Sequence, residues 1–174
     1  NNNGVPLPTA DLIVKWDTLT ETWSALNSDG AGNGSLSAGN YVYALAANGK
    51  DLYVGGNFTN VNNGGTVIPE ADFLAKWDGT NWSALGSNGA GNGALNGSTF
   101  ALSVSGTGEL YVGGGFTDAG AIPEADYIAK WDTLTGNWSA LGSNGAGNGS
   151  LKWRVHAILG NGAEVYVGGA FRKV

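Results

Sequence analysis

Residues 127–141 read YIAKWDTLTGNWSAL, and the same phrase stands at 12–26 as LIVKWDTLTETWSAL and at 73–85 as FLAKWDGTNWSAL. Each copy runs into a Gly/Asn loop, NSDGAGNG at 27–34 and GSNGAGNG at both 86–93 and 142–149. A loop that recurs at even spacing occupies equivalent places in a repeated fold. Next comes an alternating run, YVYALAA from Tyr41, TFALSVS from Thr99 or VHAILG from Val155. A Gly-containing turn then leads into DLYVGGNFT from Asp51, ELYVGGGFT from Glu109 or EVYVGGAFR from Glu164. Linkers ending in PTAD or PEAD precede each KWD.

The runs are short, rich in Val, Tyr, Phe, Trp and Leu, and bounded by Gly, Asn, Asp or Pro, which is the pattern of β-strands joined by tight turns. No segment carries a helical period over a useful length. Naming the runs a (YALAA), b (LYVGG), c (LAKWD) and d (NWSAL) gives four strands per repeat of about 54 to 61 residues, the size and strand count of a β-propeller blade. The expected fold is all-β: propeller blades of four antiparallel strands, three repeats in one domain spanning 1–174, with repeats at about 12–72, 73–126 and 127–174 plus 1–11.

Composition narrows the class. With 42% apolar and 13% charged residues in 174, the chain can bury a real core and is not a disordered tail. Glycine, 31 residues, has no three-residue period, so collagen is excluded and many turns explain it. Cysteine and methionine are absent, which removes disulfides, thiolate metal sites and cysteine nucleophiles. No apolar run reaches the roughly 18 residues of a membrane helix, and a net charge of −6 argues against nucleic acid as a partner. The chain opens NNNGVPLP without an initiator methionine, as a processed or excised product would. Sequons at Asn33, Asn57, Asn81, Asn96, Asn137 and Asn148 agree with an extracellular or cell-surface location, although a chain rich in Asn, Ser and Thr produces them by chance.

The LYVGGxFT strand followed by AKWDxxxxxWSALG resembles the kelch-like propeller repeats of fungal bud-site cortical marker proteins and of many bacterial surface proteins. The likeness covers nearly the whole chain and speaks to fold more than to activity. It implies an extracellular binding or adhesion platform, and it brings no catalytic residues.

Along the chain the strand order is c, d, then a, b, c, d twice, then a, b. Three repeats fall below the usual four to eight blades of a ring. The terminal a–b pair is expected to expose an unpaired edge, of the kind soluble proteins cover. Two copies joined head to tail would supply six blades, most simply as a two-fold dimer, and the same contact failing to close would give a filament. Residues 152–174 hold Lys152, Arg154, Arg172 and Lys173 against Glu164 alone, a net +3 that leaves −9 on the remainder. The expected assembly interface takes in Arg154, His156, Arg172, Lys173 and Asp11; the alternative for the basic residues is solvated surface.

Of the tryptophans, Trp16, Trp77 and Trp131 lie in strand c and Trp23, Trp82 and Trp138 in strand d. They are read either as packing between sheets or as repeated sugar-stacking sites. Packing is preferred for strand c, while Trp23, Trp82 and Trp138, nearer the outer edge, are the candidate ligand residues together with Trp153. Lys and Asp two apart at 15/17, 76/78 and 130/132 are read as same-face ion pairs or as turn-capping Asp, ahead of a binding groove. The Gly/Asn loop is read as structural: only Asp29 adds a carboxylate across its three copies, and no helix follows to hold a phosphate. No metal, cofactor or catalytic role is expected, since His156, the single histidine, stands in an apolar strand. The sequence reading is thus a self-assembling, non-catalytic structural or adhesive scaffold, with a multivalent lectin as the alternative.

Overall fold

The computed structural model describes residues 4–36, 40–172 and 174. Its strands follow the repeat: β1 (Lys15–Asp17) and β2 (Thr22–Ser24); β3 (Val42–Asn48) and β4 (Asp51–Gly56); a small hairpin of β5 (Val61–Asn63) and β6 (Thr66–Ile68); β7 (Leu74–Trp77) and β8 (Trp82–Ala84). Then come β9 (Thr99–Val104), β10 (Glu109–Gly114), β11 (Ile128–Asp132), β12 (Asn137–Ala140), β13 (Val155–Asn161) and β14 (Glu164–Gly169). The one helical piece among the described residues is a short 3-10 turn, Ala119–Ala121.

Pairing is antiparallel throughout the described residues. Two four-stranded sheets stand in the orders β3-β4-β7-β8 and β9-β10-β11-β12, each one a, b, c, d set. The remaining sets are halves: β1-β2 is a c–d hairpin and β13-β14 an a–b hairpin. Among the described residues no strand pairing joins these two halves, and the architecture is all-β, built of several small antiparallel sheets. The linker between strands b and c of the first complete set carries the hairpin β5-β6; its Asn63-Gly64-Gly65 turn, with Gly64 and Gly65 at φ 63° and 92°, is the left-handed turn that hairpins favour.

The VGG motif sets how neighbouring sheets stack. A Cβ on the first glycine would fall inside the side chain opposite: Gly55 against Thr99 of β9, and Gly113 against Val155 of β13. A Cβ on the second glycine would collide with a carbonyl of the chain's own preceding segment, that of Tyr41 at Gly56, Ser98 at Gly114 and Arg154 at Gly169. These are the places where the a–b register shifts at a bulge. One glycine therefore seats the next sheet and the other bends the strand. As a result β9 packs against both β3 and β13.

The core forms in the gaps between sheets. Tyr53, Leu110, Val112, Phe116 and Ala129 belong to one cluster, and Val54, Phe58, Val61, Ala75 and Trp82 to a second. The third is smaller, with Ile128, Leu151 and Val155 buried and Phe171 only half-buried.

Candidate functional site

The same strand sequence has different surroundings in each repeat. Strand b is almost wholly buried toward its end in β4 and β10, where a c strand pairs with it and a further sheet covers it. In β14, which has neither among the described residues, it is largely open. Tyr53 is 1% exposed, whereas Tyr166 at the equivalent place is 54% exposed. Leu159, Leu45, Trp16 and Val14 are further large apolar side chains exposed on the two half-sets or on β3.

Across each c–d hairpin two tryptophans face one another, at 4.9 Å for Trp16–Trp23, 5.4 Å for Trp77–Trp82 and 5.3 Å for Trp131–Trp138, all tilted. The strand-d indole then reaches the preceding set: Trp82 Nε1–H donates to the Leu26 carbonyl at 2.7 Å, and Trp138 Nε1–H to that of Leu85 at 2.8 Å. Trp82 is 3% exposed, more buried than Trp77 of strand c, so its ring offers no face to a sugar. This reverses the expected order of burial, because the strand-d ring is clamped by the neighbouring sheet. Trp138 is half-buried, while Trp23 and Trp153 are exposed.

The Lys-x-Asp motif divides its labour. Lys76 pairs with Asp51 at 3.4 Å and Lys130 with Glu109 at 2.5 Å, each reaching the acid that opens strand b, so no described Lys-x-Asp pair salt-bridges within itself. The aspartates cap the c–d turn instead. Asp78 accepts from the amides of Thr80 and Asn81, and Asp132 from those of Leu134 and Thr135, as Asp17 does from Leu19 and Thr20. These amide bonds hold all three carboxyls below the usual aspartate range. The Lys130 side chain likewise holds Glu109 low and is itself raised by it. Burial, with the Glu109 charge behind it, pushes the Tyr111 hydroxyl up.

The Gly/Asn loops close on themselves. Asn88 and Asn144 accept from the amides of Ala90 and Ala146, and Ser87 and Ser143 from those of Gly89 and Gly145. In the first copy Asp29 takes the Asn part, accepting from Ala31 and Asn33. These Asp, Asn and Ser side-chain oxygens are engaged in local turns. No group of three or more His, Cys, Asp or Glu side chains is placed to hold a metal ion among the described residues.

The residues expected at an assembly interface do not form one cluster. Asp11 accepts the Gly34 amide at 3.0 Å, repeating Asp126 with Gly149, so it braces its own Gly/Asn loop. His156 stacks on Phe100 at 5.3 Å, Phe100 meets Tyr43 at 5.5 Å, and Tyr43 stacks on Tyr41 at 6.1 Å. Tyr43, Phe100 and His156 hold the same place in three successive a strands, so they form an aromatic row across β3, β9 and β13. Sequence reasoning missed this row, although the equivalent positions were aligned and only the adjacency of the a strands was needed to see it. A Cβ on Gly115 would lie 3.4 Å from Arg154 Nε and 3.5 Å from Phe100, which sets the Arg154 side chain beside the same row. Arg172 and Trp153 line a cavity of about 600 Å³ with Lys152, Ala170 and Phe171. A second, of about 280 Å³, lies on the open face of β13-β14. Lys173 falls outside the described residues.

No family model matches the chain, and no curated protein matches it.

Proposed function

We propose that the chain is a non-catalytic β-propeller repeat protein of the cell exterior that works by self-assembly, its c–d and a–b halves completing blades between copies to give a ring or filament, with a six-bladed two-fold dimer as the reading preferred. The observation that carries this is the burial of strand b: one sequence motif, covered in β4 and β10, lies open in β14. A row of unpaired strand groups beside exposed Tyr166 and Leu159 is an association surface. Non-catalysis is read from the absence of cysteine and from a single histidine engaged in ring stacking. Light scattering behind size exclusion, at low and high salt, tests the proposal. A species near twice 17.6 kDa, or a much larger one, is expected, and a monomer at all concentrations refutes it.

The second reading, a multivalent lectin, draws on the aromatic row Tyr43–Phe100–His156. Its test is glycan-array binding by the native chain that is lost on Tyr43→Ala.

A further inference from the structure

We infer that the open edge of β14 receives β1 of a second copy in one fixed register, and that the cavity around Phe171 receives that copy's Leu7–Asp11 turn; this rests on the assembly reading above. The chain itself displays what belongs at both places. In the complete sets the phenylalanine that follows VGG is fully buried, Phe58 clustering with Val61, Ala71 and Ile68, and Phe116 with Ala119, Ala125 and Ile122. The covering residues come from the linker before the next c strand. Among the described residues Phe171 clusters with no such linker residue, and the cavity of about 600 Å³ opens beside it.

The segment before β1 has the matching shape. Ala10 N–H donates to the Leu7 carbonyl at 3.1 Å, as Ala71 does to Ile68 at 3.1 Å and Ala125 to Ile122 at 2.9 Å. Leu7 and Ala10 thus stand where the two other linkers carry the residues that cover phenylalanine. Two residues on, Leu12, Phe73 and Tyr127 share a left-handed backbone at φ 61°, 63° and 61°, which is an outlier for bulky side chains. Phe73 and Tyr127 are held there by paired bonds to strand b: Phe73 N–H to the Phe58 carbonyl at 2.9 Å and Gly56 N–H to the Phe73 carbonyl at 3.1 Å, with Tyr127 repeating this on Phe116 and Gly114. The corresponding partners of Leu12 are the Phe171 carbonyl and the Gly169 amide, which lie on the opposite half-set.

Register follows from the complete sets, where Leu52↔Trp77 and Tyr53↔Lys76 match Leu110↔Trp131 and Tyr111↔Lys130. Carried to the junction, this gives Val165↔Trp16 and Tyr166↔Lys15, with Glu164 of one copy salt-bridged to Lys15 of the other. The stacking rule adds a steric test. A Cβ on Gly113 would collide with Val155 of the next sheet, whereas among the described residues a Cβ on Gly168 meets only Ala157 Cβ, at 3.7 Å. In the assembly Gly168 would face Val42 of the second copy.

Gly168→Val is therefore the first variant, followed by the charge pair Glu164→Lys and Lys15→Glu. With the native chain oligomeric, Gly168→Val should fold, keep its strand circular dichroism, and run at the monomer mass. Each charge variant alone should assemble about tenfold more weakly, since like charges meet at every junction, and mixing the two should restore assembly as a mixed oligomer. A native monomer would sink the assembly reading itself. A native oligomer that Gly168→Val leaves intact, or whose charge variants gain nothing on mixing, would keep assembly and overturn this junction. Should Gly168→Val fail to fold, the charge pair decides alone.

Discussion

Thr99→Val should make the protein more stable. Thr99 is 0% exposed, and its Oγ1 is the one buried side-chain polar atom without a hydrogen-bond partner among the described residues. A hydroxyl buried without a partner costs about 1–3 kcal/mol by mutational measures. Valine keeps the branched shape, and the methyl that packs over Gly55 stays where it is. The other two repeats already carry valine at this place, Val42 opposite Gly56 and Val155 opposite Gly169, as Thr99 stands opposite Gly114. The expected gain is about 1–2 kcal/mol, which for a chain of this size raises the melting temperature by roughly 2–8 °C. Urea unfolding at one fixed protein concentration would measure it, because the proposed assembly would make apparent stability depend on concentration. A loss of stability of 1 kcal/mol or more would refute the reasoning, and would mean that the hydroxyl is bonded and that the β9 packing described is wrong.

Gly113→Ala should destabilise by about 1–3 kcal/mol, because its Cβ would press into Val155 and Ile158; an unconstrained Gly→Ala change would instead stabilise slightly, so the sign in a urea titration decides. Phe116→Ala should cost about 3–5 kcal/mol as a cavity in the largest cluster, again read by urea unfolding. Stability should fall as the pH drops below about 4, since Asp78, Asp132 and Glu109 are all lowered in the folded protein. Such groups stabilise above their unfolded values and lose that contribution as the pH falls through the folded ones, so Asp132→Asn should flatten the acid limb of a melting curve against pH. At the other end Tyr53 and Tyr111 are raised, chiefly by burial, so folding favours their neutral forms and stability should decline above about pH 10.

The period-2 runs and their Gly, Asn and Asp boundaries made the strands legible, and the c, d, a, b phase made the two halves legible as well. The capping role of Asp78 and Asp132 could be read from an Asp followed by Gly or Thr at a turn. What the sequence hid were contacts set by neighbours. Lys130 has Asp132 two residues away on its own strand, yet it reaches Glu109, because the b–c register brings the opening acid of strand b alongside. The signal was present, since an acid opens all three LYVGG or VYVGG runs. Trp23 and Trp82 occupy the same motif and differ in burial, and the preceding set packs over Trp82. No property of either tryptophan's own segment could foretell that difference.

The pairing of β14 with β1 between copies is tested most directly by a disulfide. The chain has no cysteine of its own, so Lys15→Cys with Tyr166→Cys gives one pair, placed directly opposite in the proposed register and within disulfide reach. Tyr111→Cys with Lys130→Cys, which are partners inside one sheet, is the positive control and should cross-link within the chain. Oxidised under mild conditions, the 15/166 variant should run on a denaturing, non-reducing gel at twice the chain mass or as a ladder. A control that closes while the 15/166 variant stays a free dithiol, or closes only within single chains, would contradict assembly through the two halves.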